Sequence, residues 1–169
     1  FARTVLAAVA MLARRQNDAV GLALLGDTEP ADAGLLDFVR PGSSVGHHHT
    51  VFSRLDTPPA ARTASIPEAL RRLASVPPRR GAAILASDFY TDLAEFGRVL
   101  ALLRSQRLEF VALQVLDPME IALGGTVAGR FVDLEDGSRL SLNAPAVRAG
   151  YLQRFTAWRR QLLECCREH

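Results

Sequence analysis

Apolar residues recur along this chain in two rhythms, and their alternation predicts helices interleaved with strands. Phe1, Val5, Val9 and Leu12 recur at steps of four, four and three, one face of a helix running to about Gln16. Asn17-Asp18 ends it, and Ala19 to Leu25 (AVGLALL) is a continuously apolar run that suits a strand covered on both faces. Gly26 to Gly34 is a loop by composition, and Leu35 to Arg40 reads as a second strand stopped by Pro41-Gly42. His47 to Leu55 fits a short helix, closed by Asp56-Thr57-Pro58-Pro59 because a proline bars helical geometry in the residue before it. Ser65-Ile66-Pro67-Glu68 is a capping box opening a helix to about Ser75 that presents Ile66, Ala69, Leu70 and Leu73. Ala82 to Ala86 and Leu108 to Leu116 are buried-type strands. Between them, Asp92 to Arg104 carries Leu93, Phe96, Leu100 and Leu103 on one helical face.

This order predicts an α/β fold with three layers, a mostly parallel central sheet and helices on both faces. The last third adds a different unit. Thr126 to Leu134 and Ser138 to Leu142 flank Glu135-Asp136-Gly137, a hairpin signal. A three-residue loop with Gly137 in the left-handed position is preferred, because it sets Val132 and Leu134 on the same face as Leu140 and Leu142. Val147, Tyr151, Phe155, Trp158 and Leu162 form the stripe of a long C-terminal helix. The expected organisation is one domain over residues 1–169, with residues 124–143 as a hairpin appendage.

Composition narrows the class. The 169 residues are 49% hydrophobic and 22% charged, which excludes a disordered or collagenous chain. All 20 basic residues are Arg and 18 acids nearly cancel them, so a net charge of +2 gives no electrostatic case for nucleic acid. The apolar runs fall short of the roughly 20 residues that cross a bilayer, and no membrane segment is expected. Cys165 and Cys166 are adjacent, where a bridge is strained, so reduced thiols on a terminal helix and a cytoplasmic setting are expected.

Candidate chemistry follows from the strand ends, where ligands gather in open parallel sheets. That rule selects Asp27, Ser87-Asp88 and Asp117. Asp88 is delivered by an apolar strand to a helix start, and it reads either as a ligand-facing carboxylate or as a cap; Asp27 and Asp117 read as loop caps. His47-His48-His49 invites a metal reading. Neighbouring histidines on a helix diverge by about 100°, however, so a solvated helix start is expected. Ser43, Ser44, Ser65 and Ser87 lack a GxSxG context, and with no Lys a phosphate-binding P-loop cannot be built. No catalytic constellation emerges, and an enzyme is not expected.

Three stretches together carry a resemblance: Gln16-Asn17-Asp18-Ala19-Val20-Gly21-Leu22, Ile84-Leu85-Ala86-Ser87-Asp88-Phe89, and Val111-Ala112-Leu113-Gln114-Val115-Leu116-Asp117-Pro118. With Asp133, the hairpin and Arg148 to Tyr151, they make the chain similar to the bacterial domain-of-unknown-function 58 family, whose Rossmann-like fold resembles the von Willebrand factor A domain. The resemblance implies a protein-binding adaptor, commonly associated with MoxR-type AAA+ ATPases. It also implies a metal-ion-dependent adhesion site for Mg²⁺ or Mn²⁺, to which Asp88 and Thr63 correspond. The DxSxS element of such sites is absent, so the site is expected to be degenerate, with metal bound only if ligands come from upstream. In the resembled topology a central strand between Ala19–Leu25 and Ala82–Ala86 is also missing, which predicts an upstream segment or a rearranged sheet. The expected partner-binding face comprises Asp27, Thr63, Ser87 and Asp88. The competing expectation is a metal-dependent hydrolase using Asp88 with Asp27 or the histidines.

Overall fold

The computed structural model describes residues 1–26, 35–57, 65–76, 80–123, 129–132, 139–142 and 144–169. In chain order the elements are α1 (Ala2–Arg15), β1 (Val20–Leu25), β2 (Leu35–Gly42), α2 (Val45–Asp56), α3 (Ile66–Ser75), β3 (Gly81–Ser87), α4 (Leu93–Ser105), β4 (Leu108–Gln114), α5 (Pro118–Ala122), β5 (Gly129–Val132), β6 (Arg139–Leu142) and α6 (Ala144–Glu168). The mixed α/β class follows the sequence pattern closely.

Local chemistry sets the helix boundaries. Ser44 Oγ accepts from His47 N and starts α2 two residues before the expected His47. Ser65 Oγ accepts from Glu68 N at the start of α3. The reciprocal half of that capping box is not made, because the Glu68 carboxylate pairs with Arg71 at 3.2 Å. Asp92 Oδ1 accepts from Glu95 N at 2.9 Å and opens α4. Three helices end through a residue in the left-handed region: Asn17 (φ 60°) after α1, Arg107 (φ 61°) after α4 and Leu123 (φ 42°) after α5.

The core is built by α3, α4, β3 and α6. Ile66, Leu70, Ala74, Leu85, Phe89, Phe96, Val99, Leu100, Leu103 and Leu162 are buried together, with Trp158, Phe110 and Leu93 packed against them. The α4 stripe read from the sequence is therefore the centre of the core. In α1 the expected stripe is corrected: Phe1 and Leu12 are exposed, at 90% and 57%, and Ala10 is the buried residue. Leu6, Val9, Ala10 and Ala13 face inward, toward the space between the helix and the strands.

The sheet departs from expectation. Instead of one continuous, mostly parallel sheet, the described strands form three two-stranded sheets, β1–β2 antiparallel, β3–β4 parallel and β5–β6 antiparallel. The physical reason lies between β1 and β3. A cavity of about 640 Å³ separates them, lined by both strands and by α1, α2 and α3. The strands are consequently not covered on both faces as their composition predicts: β1 and β4 contain no fully buried residue, and β3 contains Leu85 alone. Another expectation fails in the hairpin, where Val132 lies opposite Arg139 and Phe131 opposite Leu140. That register is one residue away from the one a Glu135-Asp136-Gly137 loop imposes; the loop residues themselves lie outside the described residues.

Candidate functional site

The C-terminal end of β3 makes a tight, hydrogen-bonded turn. Asp88 Oδ1 accepts from Tyr90 N at 3.2 Å and from the Ser87 hydroxyl at 3.2 Å, while Ser87 Oγ accepts from Phe89 N at 3.1 Å. Phe89 sits at φ 64° and is fully buried. A left-handed Phe costs about 1–3 kcal/mol, which the burial of its ring against Phe96 offsets. The turn thus drives Phe89 inward and projects Tyr90 outward. Both readings of Asp88 meet here: one carboxylate oxygen fixes the turn, and the residue still stands at the strand end, half-buried.

β4 and α6 support the turn. Gln114 Nε2 donates to Asp88 O at 3.2 Å, and Arg159 Nε donates to Gln114 Oε1 at 3.2 Å, so the last helix is tied to the strand end through one amide side chain. Tyr90, 51% exposed, stacks on Trp158 with ring centroids 4.9 Å apart. Trp158 continues into Phe155 and Tyr151, at centroid separations of 5.8 and 5.6 Å. The Tyr151 hydroxyl donates to Glu120 O, fastening α6 to α5. Partial burial first, then the neighbouring Tyr151, Glu120 and Asp88, hold the Tyr90 phenol well above its ordinary value. Tyr90 is accordingly a neutral donor over the physiological range.

Asp117 is a cap, as the sequence indicates: its Oδ1 accepts from Met119 N at 2.7 Å, and Glu120 Oε2 accepts from Asp117 N at 2.6 Å. Met119 and Ile121 of the short helix it opens are exposed, on the element that Tyr151 fastens to α6.

Of the predicted site residues, Ser87 and Asp88 are brought together, whereas Asp27 and Thr63 lie outside the described residues. The histidines take other roles than a solvated helix start. His47 Nε2 bonds Val20 O at 2.6 Å, and His48 is buried with Nδ1 unpartnered; His49 alone is exposed. Among the described residues no group of three or more His, Cys, Asp or Glu side chains could hold a metal ion. Next to Asp88 the described donors offer Ser87 and amide groups, and the nearby Glu120 carboxylate is engaged by Asp117 N. Ser87 and Asp88 supply side-chain oxygens at this strand end, the hard donors that a divalent cation takes together with water. Sequence reasoning missed Tyr90, Gln114 and Arg159 as parts of this site, and it assigned Trp158 and Tyr151 to a core stripe. The proximity of Tyr90 to Asp88 was the one available signal.

Comparison with known proteins places this geometry in context. The family described as "Protein of unknown function DUF58" matches residues 1–161. No curated protein matches the chain, and no solved structure does.

Proposed function

Since the chain belongs to the DUF58 family, we propose that it is a protein–protein interaction domain of von Willebrand factor A-like type, whose binding face is the end of β3 with the neighbouring α5 and α6. The observation that carries this reading is the exposed Tyr90 stacked on Trp158 beside Asp88. Interface centres are enriched in aromatic residues, Met and Arg, and Tyr90, Trp158, Met119 and Arg159 gather at this end of the molecule. A rigid, uncharged Tyr supplies contact area and one hydrogen bond at low entropic cost. The alternation of helices with strands and the parallel β3–β4 pair support the von Willebrand factor A-like reading. A MoxR-type AAA+ ATPase is the partner class that the family resemblance favours.

The test is direct. A purified MoxR-type ATPase is titrated against the wild-type protein, Tyr90→Ala and Asp88→Ala by biolayer interferometry. Tyr90→Ala is expected to weaken binding at least tenfold, the loss that about 1.4 kcal/mol produces, and Asp88→Ala to weaken it by a similar factor. Equal affinity of all three proteins removes this face from the interface. No structural observation favours the metal-dependent hydrolase, since His47 is engaged by Val20 O and His48 is enclosed.

A further inference from the structure

The Tyr90 ring is covered on one face and open on the other. Trp158 stacks on it with ring centroids 4.9 Å apart and an interplanar angle of 26°, yet Tyr90 is still 51% exposed, so the face away from Trp158 meets water. Trp158 is backed in turn by the buried Phe155, at 5.8 Å. Tyr90 is therefore a shelf whose orientation is fixed from behind. A bare aromatic face carries the negative end of the ring quadrupole and attracts a cation that settles over it. The charges beside the shelf have the same preference. Asp88 Oδ1 is engaged in the turn, accepting from Tyr90 N and from the Ser87 hydroxyl, while Oδ2 has no hydrogen-bond partner among the described residues. Behind burial and Tyr151, the charges that hold the Tyr90 phenol above its ordinary value are Glu120 and Asp88, both acids. The arginines at this end of the molecule are directed elsewhere. Arg159 Nε donates to Gln114 Oε1 with its guanidinium carbon 5.9 Å from the centre of the Phe155 ring, and Arg148 Nε donates to Ala122 O.

A guanidinium matches both features at once. It is planar, so it stacks on a tyrosine face, and its fork of N–H donors at the edge of that stack pairs with a carboxylate. A lysine ammonium is a compact, strongly hydrated point charge without the planar match. Arginine is also, with Tyr and Trp, one of the residues that anchor interfaces, and such anchors pair across them. We propose that this face captures an arginine side chain of the protein partner, its guanidinium stacked on the free face of Tyr90 and paired with Asp88 Oδ2. The inference rests on the interaction face proposed above and adds the chemistry that the partner presents to it. Asp88 thereby has two duties on two oxygens: Oδ1 shapes the turn that projects Tyr90, and Oδ2 holds what Tyr90 receives.

Trp158 is the single tryptophan of the chain, so its emission reports on the stack directly. N-acetyl-arginine amide, N-acetyl-lysine amide and the uncharged N-acetyl-citrulline amide are titrated against the protein at constant ionic strength, with EDTA present to keep divalent cations from Asp88. The arginine probe is expected to change the emission saturably in the millimolar range. Citrulline is expected to bind about tenfold more weakly, the loss of an exposed cation–π contact together with its ion pair. Asp88→Asn keeps an acceptor for Tyr90 N and removes only the charge, and it should weaken the arginine probe several-fold. Equal binding of arginine and citrulline, unchanged affinity in Asp88→Asn, or no saturation with the arginine probe overturns the proposal, and equal binding of lysine overturns the guanidinium match. Should Asp88→Asn fail to fold, the comparison of arginine with citrulline on the wild-type protein decides alone. The ATPase titration separates this inference from the reading beneath it. If Tyr90→Ala weakens the ATPase while the arginine probe is silent, the arginine anchor falls and the face stands. If the arginine probe binds and the ATPase does not, the anchor stands and that partner falls.

Discussion

Replacing Phe96 by Ala strikes the point where α4 meets the rest of the core. The side chain is fully buried, and its ring lies 5.7 Å from Phe89 and 5.8 Å from Phe110, linking the strand-end turn to β4. Truncating a buried Phe costs about 3–5 kcal/mol through lost transfer energy and the cavity left behind. The tilted contact with Phe89 and the edge-to-face contact with Phe110 add about 1 kcal/mol each within that loss. A total near 4 kcal/mol is a large part of the roughly 5–15 kcal/mol that holds a domain folded. With a urea dependence of about 2 kcal/mol per molar, the unfolding midpoint falls by about 2 M. Urea titration followed by circular dichroism and tryptophan fluorescence measures it, and Leu102→Ala on the exposed side of the same helix is the control, with a shift below about 0.5 kcal/mol. If Phe96→Ala unfolds the chain outright, Phe96→Leu gives a measurable loss of about 1–1.5 kcal/mol. A loss for Phe96→Ala no larger than that of Leu102→Ala would refute the placement of this ring at the centre of the core.

Ser65→Ala removes the acceptor for Glu68 N and should cost about 1 kcal/mol by urea titration, whereas Glu68→Gln, which breaks a surface pair with Arg71, should change stability by less than about 0.5 kcal/mol. Arg107→Gly relieves a left-handed backbone at the end of α4 and should raise stability by about 1 kcal/mol; a decrease would mean that the Arg107 side chain outweighs the backbone term. The Tyr90 phenol ionises less readily in the folded protein than in the unfolded chain, so its stabilising contribution is whole below the ordinary tyrosine value of about 10 and declines as pH rises toward the folded value. Stability measured between pH 9 and 11 should therefore fall less steeply in Tyr90→Phe than in the wild-type protein, and parallel profiles would contradict the shift.

Elements written in local signals were legible in the sequence. The apolar periodicity of α4 and the caps Ser65 and Asp117 are short-range interactions, and the structure contains them. The phase of α1 was misjudged because large residues such as Phe1 and Leu12 outweighed Ala10 and Ala13, the small residues of its inward face. Strand runs were placed to within two residues at β1, β3 and β4, but which edges pair is a property of distant segments that no single run encodes. The same division holds at the site. Ser87 and Asp88 were found because they end an apolar strand; Gln114, Arg159 and Trp158 arrive from β4 and α6, and only the folded chain brings them to Asp88 and Tyr90.

The two margins of the β1–β2 pair differ in their exposure to misassociation. Its outer strand carries Pro41, a register irregularity against β1, the exposed Arg40 and Asp37 paired with Arg54. Proline, bulges and charge are the devices by which natural sheets discourage strand addition by neighbouring molecules. The inner margin has none of them: Val20 to Leu25 is uncharged and contains no proline. Strand addition by a neighbouring molecule is therefore expected at the inner margin before the outer one. Solubility during expression should track how well that interior margin is covered, and polar changes scattered over the outer surface should do little to improve it.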